Sequence, residues 1–294
     1  MHDLFKIIVV KQTESSAHVV LELPAGVPIR SLTGKIVGPY CNFARTLPAE
    51  FSLTDIKSNS DIHVAQVIDP CYWTPELPFL YDLHLGILKE DGQEIEQTLK
   101  VGLTRWGCES RNLRLESRRI VLRGTSSKQL ATATLSAARE AATALMVDRY
   151  DQPFCGAADQ AGVMLCLDLR AAGNSLYSVL PHLDWSPSVL LALVSAEQLA
   201  ESDLDDHRPT HCCLTQSLSA SSTPDELVDP QQVLAVELKP GEQPPAWLAD
   251  FARPVIAIRH GEDYAELTAA RAACDRLQAE LAPEFDLAGY FVTP

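Results

Sequence analysis

The side chains able to do chemistry are few in this chain, and several fall at the ends of apolar runs. Glu197 follows the run Val189-Leu-Leu-Ala-Leu-Val194 and opens an acidic stretch that ends at Asp206. Glu237 lies near the end of the run Val233 to Leu238, and Glu262 stands three residues beyond Arg259. A pair of such carboxyl groups can move protons or attack an electrophilic carbon, whereas a single one on a polar stretch is ordinary solvated charge. His207-x-x-x-His211-Cys212-Cys213 has ligand-type side chains at close spacing. Neighbours on a strand point to opposite faces, so Cys212 and Cys213 cannot readily share one tetrahedral ion, and no metal is expected. The stretch Glu201 to Asp206 lacks the spacing of a calcium loop. No G-x-G-x-x-G, G-x-x-x-x-G-K-[ST] or G-x-S-x-G occurs, so neither a cofactor nor serine-hydrolase chemistry is expected.

Two kinds of element must position these groups. From residue 5 to about 103 apolar residues recur at period two between Pro, Gly, Asn and Asp, which predicts about seven strands and an immunoglobulin-like sandwich. In Leu80-Tyr-Asp-Leu-His-Leu-Gly-Ile-Leu88 the apolar residues take one face, and Asp82, His84 and Gly86 the other. After about residue 112 short apolar runs alternate with Ala-rich or Glu-rich stretches. Strands are predicted at Arg119 to Leu122, Ala144 to Val147, Val163 to Asp168, Val189 to Val194, Cys212 to Thr215, Val233 to Leu238, Val255 to Ile258 and Leu287 to Val292. Helices fit between them at Thr134 to Ala142, Phe154 to Ala161, Ser175 to Leu183 and Asp263 to Leu281, and Ser217 to Gln231 reads as an exposed connection. The expected architecture is a multidomain β and α/β protein. A β-sandwich over residues 1–110 precedes a small (β/α)8 barrel over 111–294, which at about 180 residues is either clipped or incomplete.

The balance of 24 Lys plus Arg against 39 Asp plus Glu gives a formal charge of -15 over 294 residues. Phosphate backbones and anionic bilayers need clustered cations, so neither nucleic acid nor a membrane surface is an expected partner. The longest apolar run falls far short of the roughly 18 residues that cross a bilayer, and the N-terminus shows no secretory pattern. Eight scattered cysteines without C-x-x-C spacing read as reduced thiols of a cytoplasmic protein.

Three ordered segments add a resemblance. Cys71-Tyr-Trp-Thr-Pro-Glu-Leu-Pro-Phe-Leu-Tyr81 resembles the W-x-P-x-x-P-x-L-Y signature of the immunoglobulin-like domain in glycoside hydrolase family 2, the β-galactosidase and β-glucuronidase family. Val101-Gly102-Leu103-Thr104-Arg105 follows where that family has V-G-F-R. Leu113-Arg-Leu-Glu-Ser-Arg-Arg-Ile-Val-Leu-Arg-Gly124 is similar to the hairpin that opens its barrel. The sugar-binding jelly roll that precedes this domain in the family has no counterpart.

The resemblance implies roles residue by residue. Pro187 to Glu197 matches P-S-V-I-x-W-S-L-G-N-E without a gap, which puts Glu197 at the general acid/base position and Ala196 at the preceding Asn. Arg253-Pro-Val-Ile-Ala-Ile-Arg-His-Gly261 is similar to K-P-[VI]-I-x-x-E-[YF]-G, which puts Arg259 where the nucleophilic Glu belongs. In Thr143 to Tyr150 the family's Asn, Arg and His fall on Thr143, Met146 and Arg149. A retaining glycosidase needs two carboxyl groups about 5 to 5.5 Å apart, and a guanidinium cannot attack the anomeric carbon. If Arg259 faced Glu197 across the barrel mouth, it would also lower the carboxyl pKa, where a general acid needs the opposite. The expectation is a catalytically inactive homologue with a carbohydrate-related binding or structural role and a carbohydrate or protein partner. The alternative is an active hydrolase using Glu197 with Glu237 or Glu262 as a relocated second carboxylate. Arg149, Tyr150 and Trp185 are the expected substrate contacts; Tyr150, Trp185, Trp247 and Tyr290 could stack on sugar.

Overall fold

The computed structural model describes the chain apart from residues 1–4, 24–28, 57–58, 174–175, 202–207, 230–232 and 262. Its first part is two four-stranded sheets face to face. β1 (Lys6–Val10), β2 (Ser16–Glu22), β6 (Asn59–Ile68) and β5 (Thr54–Ile56) pair in that order, and β4 (Ala49–Ser52), β3 (Ile29–Tyr40), β7 (Leu80–Lys89) and β8 (Glu94–Val101) form the other. Period-two patterning sends Ile7, Val19, Leu21, Ile36, Val67, Leu83 and Leu85 into the space between the sheets. The outer face of β7 pairs across to β8, Asp82 with Lys100 at 2.6 Å and His84 with Thr98 at 2.9 Å.

A three-stranded sheet follows, β9 (Trp106–Glu109), β10 (Asn112–Leu115) and β11 (Arg118–Ile120). Leu113, fully buried, packs with Leu122, Ala144, Val233 and Ala288 at the starts of the barrel strands, so this sheet seals the N-terminal end of the barrel. Here one expectation is corrected: Arg119 to Leu122 is not the first barrel strand. Arg119 belongs to the sealing sheet. Leu122 donates its N–H to the Ala288 carbonyl at 3.0 Å and begins the barrel. The apolar run Ile120-Val-Leu122 spans two elements, which periodicity alone cannot divide.

The barrel is closed, with each strand parallel to its neighbours: β12 (Leu122–Ser126), β13 (Ala144–Val147), β14 (Leu165–Asp168), β15 (Val189–Val194), β16 (Cys213–Ser219), β17 (Val233–Leu238), β18 (Val255–Arg259) and β19 (Gly289–Val292). It is therefore complete, and the economy lies outside it. Helices α1 (Thr132–Glu140), α2 (Gln152–Ala161), α3 (Leu176–Leu183) and α5 (Leu267–Leu281) cover parts of the barrel. After β15 the described residues hold only the one-turn α4 (Ala196–Leu199), and among the described residues of the next two crossovers there are only 3-10 turns, at Pro224–Glu226 and Ala246–Asp250. The stretch expected to be an exposed connection from Ser217 is strand to Ser219. Just before it, the fully buried Gln216 donates to the Glu226 carbonyl at 2.8 Å and accepts from the Val228 N–H at 3.1 Å.

Local chemistry explains the clean boundaries of α2. Asp151 caps it by accepting the Phe154 N–H at 2.8 Å, Pro153 sits in the first turn, and Gly162 ends it in the left-handed conformation at φ 70°. Inside the barrel Phe291 fills the space that Gly124 leaves; a Cβ on Gly124 would lie 2.2 Å from the Phe291 ring. The Trp-Pro segment joins the two halves. Trp73 is fully buried and donates its indole N–H to the Asp159 carbonyl at 2.8 Å, while the Arg139 guanidinium donates to the carbonyls of Pro75 and Glu76.

Candidate functional site

Barrel strands alternate between the interior and the helical layer, and parity decides which side chains reach the mouth. Cys166, Ala235, Ile256 and Ile258 point inward. Two residues beyond an inward position at the C-terminal end come Asp168 on β14, Glu237 on β17 and His260 just after β18. They form one network around Arg170. Its guanidinium donates Nε to Asp168 Oδ1 at 2.8 Å and Nη2 to Asp168 Oδ2 at 2.6 Å. Nη1 donates to Ser217 Oγ at 3.2 Å and also to Glu237 Oε1. The other Glu237 oxygen lies 3.6 Å from His260 Nε2, and His260 Nδ1 shares a hydrogen with Thr293 Oγ1 at 2.8 Å. Asp168 hydrogen bonding, then the charges of both acids, raise the Arg170 pKa above its already high ordinary value. The mouth thus carries two carboxylates held on one guanidinium.

Glu197 lies elsewhere in this end of the molecule. Ser195 caps α4 in a reciprocal capping box with Gln198, and Gln198 Nε2 reaches the Leu169 carbonyl at 3.1 Å. The Glu197 carboxylate is left exposed. Hydrogen bonds from the Ser195 hydroxyl and its own backbone N–H hold its pKa below the usual carboxylate range.

Arg259 does not face Glu197. With Ile256 and Ile258 inward, Arg259 takes the opposite parity and enters the layer between the barrel and α5. Nη1 donates to Glu280 Oε2 at 2.7 Å and Nη2 to Glu280 Oε1 at 3.0 Å, with a further bond to the Glu242 carbonyl at 3.1 Å. Arg259 therefore forms a bidentate pair outside the barrel, and it is His260, the next residue, that reaches the mouth.

The expected sugar contacts are dispersed. Arg149 is exposed and pairs with its neighbour Asp148 at 3.0 Å. Tyr150 stacks on His182 with ring centroids 5.7 Å apart and packs against the core outside the barrel. Trp185 is buried in the sandwich core, which leaves no open face for a sugar. Tyr290 is likewise buried, and Trp247 packs edge-on against Phe251 and donates to the Ser222 carbonyl at 2.8 Å. Met146 faces the barrel interior. Glu262 and His207 lie outside the described residues. His211 is held by Asp184 at 3.2 Å and the Ser186 carbonyl at 3.1 Å, and no cluster of three or more metal-type ligands occurs among the described residues. No helix among them is long and apolar enough to cross a membrane.

A cleft of about 930 Å³ lies at the other end, between the sandwich and the starts of β13 and β14. Barrel enzymes place chemistry at the C-terminal face, and two of this cleft's three arginines are engaged: Arg105 lies over Tyr72 and pairs with Glu116 at 3.1 Å, and Arg139 is committed to backbone carbonyls, while Arg118 is exposed at its edge. Of the Asp168–Arg170–Glu237–His260 network the sequence offers Glu237 as a candidate carboxylate, while Asp168 figures only as a strand end and Arg170 and His260 go unnamed as site residues. Counting inward parity to the end of each strand would have found it.

No protein-family model matches the chain, and no curated protein sequence is significantly similar to it. Solved structures do share its fold. A β-glucuronidase from Parabacteroides merdae superposes with a TM-score of 0.66 at 11% identity, over 99% of this chain and 47% of that one. The β-glucuronidase of Lactobacillus rhamnosus gives 0.67 at 12% identity, over 98% and 60%. A glycosyl hydrolase family 2 member from Bacteroides cellulosilyticus gives 0.63 at 14% identity, over 98% and 43%. The chain therefore has the sandwich-plus-barrel fold seen in these enzymes and spans about half the length of the first of them.

Proposed function

We propose that this chain is a glycoside hydrolase family 2-like protein without glycosidase turnover, whose barrel mouth serves binding or structure. The observation that carries this reading is the Arg170 guanidinium lodged between Asp168 and Glu237. A carboxylate donating its lone pairs to a guanidinium is a poor nucleophile, and one ionised by a fixed cation is a poor general acid. Two further features support it. The Arg259 side chain is committed to Glu280, and the exposed Glu197 carboxyl has a lowered pKa where an acid catalyst needs a raised one. A carbohydrate or protein partner remains the proposed ligand class, because carboxylates fixed at the end of the barrel can hydrogen-bond hydroxyl groups without breaking glycosidic bonds.

The test is hydrolysis of activated aryl glycosides of galactose, glucuronic acid and mannose by the wild type, Glu197→Gln and Glu237→Gln. The expected result is the same background rate for all three. Turnover by the wild type that either substitution abolishes would establish the rival reading, an active hydrolase using those acids.

A further inference from the structure

We propose that Cys108 and Cys213 are an oxidation site at which a hydroperoxide installs a reversible cross-link between the sealing sheet and the barrel. The two sulfurs stand 3.8 Å apart, although the residues are 105 positions apart in sequence and belong to different elements. Cys108 is on β9, in the sheet that connects the sandwich to the barrel, and Cys213 opens β16. Cys108 is only partly buried, its side chain directed with Leu113 toward the barrel end, and the residue borders an open surface groove of about 500 Å³ with Lys11, Trp106 and Arg114, the side from which a small oxidant would approach. A hydrogen bond with Cys213 outweighs partial burial and, with a smaller contribution from the Arg253 cation, favours the Cys108 thiolate. The other cysteines lack this combination: Cys155, Cys166, Cys212 and Cys274 are buried, and Cys41 and Cys71 have no thiol partner among the described residues.

The chemistry balances in two steps. The Cys108 thiolate attacks one peroxide oxygen, the O–O bond breaks, and the departing oxygen takes up a proton to leave as water or an alcohol; Cys108 is oxidised to the sulfenic acid. The Cys213 sulfur then attacks the sulfenic sulfur, the S–O bond breaks, and the hydroxyl leaves as water with the Cys213 proton. Hydrogen peroxide thus converts two thiols to one disulfide and yields two waters. A disulfide needs sulfurs about 2.05 Å apart, so the pair must close by less than 2 Å, within reach of side-chain rotation and a small shift of β9.

The experiment treats the full chain with stoichiometric hydrogen peroxide and maps peptides under non-reducing conditions. Expected are a Cys108–Cys213 linked peptide, its reversal by dithiothreitol, and an unfolding midpoint several degrees higher in the oxidised protein. Cys213→Ala should strand Cys108 as a sulfenic acid trapped by dimedone, and Cys108→Ser should leave Cys213 reduced. Either of two results would overturn the proposal: both thiols remaining open to alkylation after unfolding of the treated protein, or oxidation falling on Cys41 or Cys71 with Cys108 intact.

Discussion

Arg259 shows how one residue's direction outweighs its position in a motif. Its buried guanidinium is neutralised by Glu280, itself about two-fifths exposed, which a paired cation holds below the usual carboxylate range. Removing the acid leaves a buried charge, so Glu280→Ala should cost about 1 to 3 kcal/mol, less than the roughly 3 to 5 kcal/mol for a fully buried pair because water reaches one partner. Chemical denaturation measures it. Arg259→Glu, which would write the family's acid back into the motif, should place two carboxylates side by side against α5. The expected outcome is greater destabilisation than Glu280→Ala and no glycosidase activity. Asp159 makes a second prediction at this scale. It is fully buried, accepts the Ser188 N–H at 3.0 Å, and burial pushes its pKa up to about 7. A carboxyl whose folded pKa exceeds its unfolded value of 3.8 binds more protons in the folded state. Stability should therefore fall as pH rises from about 4 to about 7 and then level off. Asp159→Asn keeps the acceptor for Ser188 and removes the titration, so its denaturation midpoint should vary less between pH 5 and 8 than that of the wild type.

Elements were legible in the sequence wherever a single period ran between turn residues. Ala144 to Val147, Val189 to Val194 and Val233 to Leu238 fold as strands with the bounds their apolar runs predict. The errors share one cause: where one run of residues feeds two structures, as in Arg118 to Leu122, or where a polar stretch is strand, as at Ser217 to Ser219, tertiary pairing decides and composition does not. Site legibility failed for a related reason. Motif alignment fixes position along a strand but not the face, and the inward face carries Glu237 and His260, not Arg259. The packing of the barrel elements can be probed at Gly124. Gly124→Ala should cost about 1 to 3 kcal/mol because the new methyl meets Phe291, and Phe291→Leu in the same chain should recover part of the loss, as read from urea midpoints.

At the scale of the whole molecule, the three-stranded sheet seals the N-terminal end of a closed barrel, and the C-terminal ends of its strands carry the Arg170 network. Barrel enzymes draw their substrate contacts from the loops at that end. What occupies the mouth instead is a salt-bridged cluster, and the absence of an available carboxylate nucleophile there is the claim on which the proposed function stands. The direct measurement is intact-protein mass after incubation with mechanism-based glycosyl electrophiles that capture the nucleophile of retaining glycosidases. An unmodified mass is the predicted result. A stoichiometric glycosyl adduct mapped to Glu237, Asp168 or Glu197 would contradict it.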